Sequence, residues 1–310
     1  LAVRSSGLFE DMILVPFAGA YETYVIPNSH PDPEARLAQL ESAVKLVYAS
    51  LFSERARSRF GATGYALEEE RMAVVVQELA GSRRGRWFYP HASGGAQSCN
   101  YYPLAYARPE DGICVAALGL GALSPEGGSA FRFCPRYPSL ESAPPKRLLE
   151  GGQRTFRALD MEDASPDLGL GEGAALADVD LSEAERDPLF GLLASTWDAA
   201  NDRLVPGVAC AGPRVVDFGN ILKYEALPFA EAVSMALEIG EKAMRAAVEI
   251  EYALNLDDPG GAALYLLQMR PLVRSEEPTD AEMDGAAPED CFIVSPRSMG
   301  NGRDSTVSDI

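Results

Sequence analysis

Four polar side chains alternate with apolar ones in two neighbouring segments of the sequence, 248–252 and 264–271. They are Glu249, Glu251, Gln268 and Arg270. Alternate side chains of a β-strand point to one face, so we expect the four to form one polar row while the residues between them face a core. Carboxylate and amide oxygens suit Mg²⁺, and a guanidinium suits a polyphosphate. The pattern indicates either a nucleotide site or a salt-bridged face of a sheet.

A second group of candidate residues lies near the start of the sequence. Arg4 follows an apolar stretch, and Gly19 and Thr23 lie in a loop-like segment rich in small residues. Small residues let backbone N–H groups approach phosphate oxygens, and an arginine at a strand end can pair with those oxygens bidentately. Considered alone, the segment is more typical of an ordinary surface turn.

The composition limits the partners that we expect. The chain has 310 residues and is 47% apolar, enough for a large core divided into two or three lobes. Its net charge of −19 repels nucleic acid and anionic membranes, so we expect neither as a partner. The five cysteines form no Cys-x-x-Cys pair, which argues against disulfides and zinc and favours the cytoplasm. We also expect no membrane span and no signal peptide, because long apolar runs are missing.

Periodicity predicts the elements that would position these residues. Apolar residues three or four apart predict an amphipathic helix over 31–61, and a β-branched run predicts a buried strand or hinge at 72–79. Short apolar runs from 87 to 137 predict antiparallel strands, with glycine turns at 93–96 and 119–121.

The second half of the sequence is more varied. The stretch 139–187 is rich in Pro, Gly, Asp and Glu, and we expect most of it to be an exposed excursion. A strand near 214–218 and a helix over 228–248 follow, and the helix leads into the first strand of the polar row. A polar linker at 274–290 precedes a strand-like segment at 291–294, which we expect to begin another domain.

The segments 2–6, 10–11, 17–19 and 21–23 closely resemble the nucleotide-binding domain of phosphoenolpyruvate synthases and pyruvate phosphate dikinases. Further landmarks of that family follow in the same order: the strand with Gln77, the glycine turn at 93–96, the loop at 119–121, and the segments 248–252 and 264–271. The resemblance implies an α+β, ATP-grasp fold in which two α/β lobes clamp a nucleotide between antiparallel sheets.

The same resemblance implies a division of the chain. Residues 1–79 would form the remainder of a first lobe, with the helix at 33–60 and the hinge strand. Residues 80–273 would form the second lobe with its acidic excursion, and 274–310 the linker and the start of a following domain. Because the chain lacks an initial methionine and opens within an apolar strand, we expect a piece of a longer protein whose first lobe is incomplete at its N-terminal end.

Several roles at the nucleotide follow from the resemblance. Arg4 matches an arginine that contacts the nucleotide phosphates and takes part in catalysis, and Gly19 and Thr23 match loop residues that lie against the nucleotide. Gln77 matches the strand that borders the adenine. The backbone groups of the next two residues, Glu78 and Leu79, would contact the edge of the base.

The polar row receives its roles in the same way. Glu251 matches a metal-binding carboxylate, and Gln268 matches its partner on the next strand. Arg270 matches the arginine that binds the nucleotide and stabilises the charge of the transferred phosphate. Glu249 is either a further metal ligand or an electrostatic support. ATP and Mg²⁺ are therefore the expected cofactors.

In that family, the phosphate passes to a histidine on a separate carrier domain, which is the expected partner. The relatives also carry an upstream lysine over the phosphates, and this chain begins too late to include it. Neither His30 nor His91 has the small-residue surroundings of the carrier, so we expect both to be surface or structural residues. A non-catalytic module that senses nucleotide or binds a partner is the alternative function.

Overall fold

The computed structural model describes residues 1–10, 19–61, 65–103, 106–121, 129–140 and 143–272. The predicted linker and the strand at 291–294 lie outside these residues, as do positions 11 and 17–18 of the N-terminal landmarks. Among the described residues, no helix is long and apolar enough to cross a membrane.

The described chain is an α+β structure with antiparallel sheets and few helices. The strands are β1 (Ala2–Ser6), β2 (Tyr24–Val25), β3 (Ala73–Gln77), β4 (Ser82–Arg84), β5 (Trp87–Tyr89), β6 (Ala92–Gln97), β7 (Ile113–Ala117), β8 (Phe131–Phe133), β9 (Thr155–Asp160), β10 (Leu176–Asp180), β11 (Ala194–Asp198), β12 (Arg203–Pro206), β13 (Arg214–Val216), β14 (Val248–Asp258) and β15 (Gly261–Pro271). The helices are α1 (Pro33–Ser50), α2 (Glu54–Gly61), α3 (Pro145–Gly151), α4 (Leu181–Ala184), α5 (Phe190–Leu193), α6 (Gly219–Leu222) and α7 (Phe229–Met244). The strand orders are β2-β1-β3, β10-β9-β5-β4, β12-β11-β13 and β15-β14-β6-β7-β8.

The first sheet, β2-β1-β3, carries α1 on one face. Val3 is fully buried there against Ala43 and Val47 of α1. The prediction of one helix over 31–61 was wrong, because the chain forms α1 and α2 with a break after Ser50. The hydroxyl of Ser53 accepts a hydrogen bond from the N–H of Ala56 at 3.1 Å, so a serine starts the second helix.

The five-stranded sheet is covered on one face by α7, which confirms the helix predicted over 228–248. Phe229 of α7 packs against Tyr252 of β14, with ring centroids 5.5 Å apart. The turn predicted at 93–96 was wrong, because these residues lie inside β6. A Cβ on Gly94 would lie 1.8 Å from the carbonyl oxygen of Val115, so this glycine permits close packing of extended strands.

The stretch 139–187 is not the exposed excursion that its composition predicts. It forms β9, which the sequence does indicate, and also β10 and two short helices. Phe156, Ala158, Val179 and Leu181 are buried in the main core. The few large apolar residues of this stretch are spaced so that alternate side chains point inward, and the polar residues face outward.

Candidate functional site

The polar row predicted on β14 and β15 is present. Glu249 pairs with Arg270 and Glu251 with Gln268 in the antiparallel register. The four side chains are partly exposed, whereas Val248, Ile250 and Tyr252 between them are buried on the face toward α7. Alternation in the strand therefore places the carboxylates, the amide and the guanidinium on one face.

Ion pairing links the members of this row. The Nη2 atom of Arg270 lies 2.7 Å from Oε1 of Glu249 and 4.0 Å from Oε1 of Glu251. These side chains retain only 16–23% of their exposure. Gln97 of β6 also donates a hydrogen bond to Glu249 at 3.0 Å. The salt-bridged sheet face is thus observed, and its groups are the same ones that the nucleotide interpretation uses.

Arg4 connects the first sheet to the polar row. Its Nη2 atom donates a hydrogen bond of 2.5 Å to Oε1 of Gln268, across 264 positions of the sequence. Arg4 pairs with Val75, and Ala2 pairs with Gln77, so Arg4 and Gln77 lie on the face opposite α1. That face of the first sheet therefore meets the polar face of β14 and β15.

The loop after β1 is held by a residue that the sequence did not indicate. Glu70 is 6% exposed and accepts hydrogen bonds from the N–H of Leu8 at 2.6 Å and the hydroxyl of Tyr21 at 2.5 Å. Burial raises the pKa of Tyr21, and its hydrogen bond to Glu70 raises it further. Glu70 lies in a run of three glutamates, and nothing in that run distinguishes it as the buried one.

Gly19 and Thr23 flank the entry into β2. Gly19 has a φ of +70°, which favours glycine, and its carbonyl accepts a hydrogen bond from Nη1 of Arg55 at 3.1 Å. The N–H of Thr23 donates to Oε2 of Glu172 at 3.3 Å. Sequence reasoning missed both Arg55 and Glu172.

Residues 1–124 match the family described as the pyruvate phosphate dikinase AMP/ATP-binding domain. The match covers 124 of the 310 residues, so it is a likeness of this part of the chain. No curated protein matches the chain with significance. The dikinase match contains these candidate residues: Arg4, Gly19, Thr23, Gln77, Glu78 and Leu79.

The polar row of β14 and β15 lies beyond the part that matches the dikinase domain. Its connection with that domain rests on structure, through the hydrogen bond between Arg4 and Gln268. The residues predicted to border the adenine lie at the end of β3. Gln77 ends β3 opposite Ala2, and Glu78 and Leu79 follow the strand.

The residues of the row do not form a complete metal cage. Within the described ranges, no group of three or more His, Cys, Asp or Glu side chains is arranged to hold a metal ion. Glu249 and Glu251 offer carboxylate oxygens, and Gln268 offers an amide oxygen. Such a set fits Mg²⁺, which is usually bound by one or two carboxylates together with substrate phosphates and water.

The two histidines lie in different surroundings, one buried and one partly exposed. His91 is 1% exposed and lies 3.0 Å from Oδ1 of Asn255 and 3.2 Å from Oδ2 of Asp187, so of the two expected settings, surface or structural, it has the buried one. His30 accepts a hydrogen bond from the N–H of Asp32 at 3.0 Å, just before α1.

Proposed function

We propose that this chain is an Mg-ATP-binding domain of ATP-grasp type in a phosphotransferase similar to phosphoenolpyruvate synthase and pyruvate phosphate dikinase. It would donate phosphate to a histidine on a separate carrier domain. The observation that carries the proposal is the hydrogen bond between Arg4 and Gln268. It joins the part of the chain that matches the dikinase family to the polar row.

Each residue has a physical role in this proposal. Arg4 and Arg270 hold the phosphate oxygens through charge-assisted hydrogen bonds, and Arg270 stabilises the charge of the transferred group. Glu251 and Gln268 would hold Mg²⁺, with Glu249 as a further ligand or as the support that orients Arg270. The metal ion supplies charge neutralisation between the phosphates when it is bound.

The charges of the site favour joint binding of nucleotide and metal. Without a ligand, the two guanidinium groups are paired with Gln268 and Glu249. Phosphate oxygens compete for Arg4 and Arg270 and thereby release oxygens of Gln268 and Glu249. Glu249 keeps its hydrogen bond from Gln97 but loses its countercharge, which favours a cation there because a partly buried carboxylate without a countercharge is costly.

The adenine end of the proposed site lies along the first sheet. Gln77 shares the face of Arg4, and the backbone groups of Glu78 and Leu79 follow at the end of β3. Gly19 and Thr23 lie at the entry to β2, beside the same sheet. Nucleotide binding would therefore require both the first sheet and β14–β15.

Isothermal titration of the chain with Mg-ATP tests the site. We expect Glu251→Gln and Arg270→Gln each to weaken binding by about tenfold or more, the usual effect of removing one charge-assisted hydrogen bond. Arg157→Gln is the matched control, because Arg157 is 57% exposed and pairs only loosely with Asp178. Unchanged affinity in both site variants, with folding intact, would overturn the assignment.

Phosphate transfer needs its own test, since binding alone is also the behaviour of a nucleotide sensor. Mg-ATP, inorganic phosphate and the carrier domain of a dikinase would be added to the chain. AMP and phosphorylated carrier would be measured, together with the second phosphoryl group of ATP, which leaves as inorganic phosphate if water accepts it or as pyrophosphate if inorganic phosphate does. Formation of AMP and phosphorylated carrier, lost in Arg270→Gln, supports transfer. Tight binding of Mg-ATP with no AMP and no phosphorylated carrier would instead favour the non-catalytic module.

A further inference from the structure

The connection between β9 and β10, residues 161–175, crosses from its own sheet to the first sheet. We call it the strap. Leu168 of the strap is 6% exposed and lies in the same apolar cluster as Val3 and Val47. The carbonyl of Ala164 accepts a hydrogen bond from Nε2 of Gln39 on α1 at 2.6 Å. The strap is therefore anchored on the helix side of the first sheet.

Glu172 of the strap reaches the loop that carries Gly19 and Thr23. Its Oε2 atom accepts a hydrogen bond from the N–H of Thr23 at 3.3 Å, and its Oε1 atom lies 3.9 Å from Nη2 of Arg55. Arg55 also donates to the carbonyl of Gly19 at 3.1 Å. One backbone N–H and one guanidinium thus converge on a single carboxylate.

A backbone N–H together with a guanidinium is a donor set that binds phosphate oxygens as well as carboxylates. Two of the loop residues involved, Gly19 and Thr23, are those that the proposed function places against the nucleotide. Arg55 and Glu172 are both about half exposed, so water and other anions reach the pair. The carboxylate can therefore leave while Leu168 keeps the strap in place.

We infer that Arg55 and the N–H of Thr23 form a further phosphate-binding subsite, which Glu172 occupies when no nucleotide is bound. Glu172 acts as a competitor built into the chain and weakens nucleotide binding. The inference rests on the proposed function, because the competing ligand is the nucleotide phosphate. It adds two residues that neither the family resemblance nor the polar row assigns.

Titration with Mg-ATP of three single variants tests the competition. In Glu172→Gln the competing charge is lost, so we expect affinity to rise about two- to fivefold, as suits a half-exposed ion pair. In Arg55→Gln a phosphate contact is lost, so we expect affinity to fall about two- to fivefold. Glu162→Gln is the matched control, because Glu162 is on the same strap but lies near Arg86 at 3.7 Å.

The double variant sharpens the test. With Arg55→Gln already present, we expect Glu172→Gln to increase the affinity less than it does in the native background, because the two residues act at one subsite. Thermal unfolding of every variant checks that the fold is kept. The amide of glutamine retains an oxygen that accepts the hydrogen bond of Thr23.

Two kinds of failure can be told apart. If the native chain binds Mg-ATP and Glu251→Gln weakens it, but Glu172→Gln behaves like Glu162→Gln, the competition is refuted and the proposed function stands. An unchanged or higher affinity in Arg55→Gln likewise refutes the subsite. If the folded native chain and all variants fail to bind Mg-ATP, the proposed function fails and the competition with it.

Discussion

Replacing Asp187 by asparagine should destabilise the protein in a manner that depends on pH. Asp187 is 9% exposed, forms an ion pair with Arg84 and lies 3.2 Å from the Nε2 atom of His91. It also accepts a hydrogen bond from the N–H of Leu189 at 2.9 Å. Asp257 carries the other carboxylate near Arg84, at 3.0 Å.

The size of the effect follows from the pKa of Asp187. Burial disfavours the ionised form, but the hydrogen bonds from His91 and Leu189 and the charges of His91 and Arg84 outweigh burial and lower the pKa from 3.8 to about 2. After allowance for solvent screening, this difference corresponds to about 1–2 kcal/mol of stability. Because the folded pKa is the lower one, the contribution is complete above about pH 5 and disappears as the pH falls toward about 2.

Urea unfolding at several pH values measures this contribution. Trp87 and Trp197 lie in β5 and β11, so tryptophan fluorescence reports on the part of the fold that contains Asp187. We expect the native chain to exceed Asp187→Asn by at least about 1–2 kcal/mol at pH 7, and the gap to narrow below about pH 4. Asp178→Asn, at a side chain 69% exposed, is the control and should show a small gap. A gap that stays constant down to about pH 2.5 would refute the ion-pair reasoning.

Three further predictions concern packing and the burial of thiols. Gly94→Ala should lower the free energy of unfolding by at least about 3 kcal/mol, because its Cβ would lie 1.8 Å from the carbonyl oxygen of Val115; little change in urea unfolding would contradict this. Leu168→Ala should cost about 2–4 kcal/mol and speed hydrogen exchange in α1, whereas unchanged exchange would mean that the strap does not support that helix. Burial raises the pKa of Cys114 to about 12, while Cys210 is exposed, so Cys210→Ser but not Cys114→Ser should remove one rapidly reacting thiol in an assay with a disulfide reagent.

The strand pair at the polar row could be predicted from the sequence because its signal is local. Two polar residues alternate with apolar ones in each strand, and the apolar ones must face a core. The structure extends both strands to 11 residues and pairs Glu249 with Arg270. Which cross-strand partners meet depends on the register, and the bulge after Glu251 is not visible in the sequence.

Glycine and polar composition misled the prediction in two places. Gly94 and Gly95 read as a turn, yet they lie in β6, where a side chain on Gly94 would collide with a neighbouring strand. The acidic stretch 139–187 read as exposed, yet a few well-spaced apolar residues suffice to bury β9 and β10. Composition averages over positions, whereas burial depends on which positions face inward.

The residues that organise the N-terminal loop were beyond sequence reasoning for a different reason. Glu70 acts on Leu8 across 62 positions, and Glu172 acts on Thr23 across 149. Glu70 is the last of three consecutive glutamates, and Glu172 lies between two glycines. No local period marks such a contact, so it can be found only from the tertiary structure.

The hydrogen bond between Arg4 and Gln268 has a consequence for how the site behaves. Arg4 and Gln268 are 264 positions apart, so bringing them together lowers the conformational entropy of the chain. Hydrogen bonds within each strand pair do not offset this loss. The first sheet and the sheet of β14 each have their own apolar cluster, so the cores stabilise the two halves separately. The strap adds the packing of Leu168 and the hydrogen bond of Gln39 to the contacts between them. A ligand that bridges Arg4 and Arg270 would therefore stabilise the contact between the two halves more than it stabilises either half alone. We accordingly expect bound Mg-ATP to slow hydrogen exchange most where β1 meets β15, and less in α7 or α1.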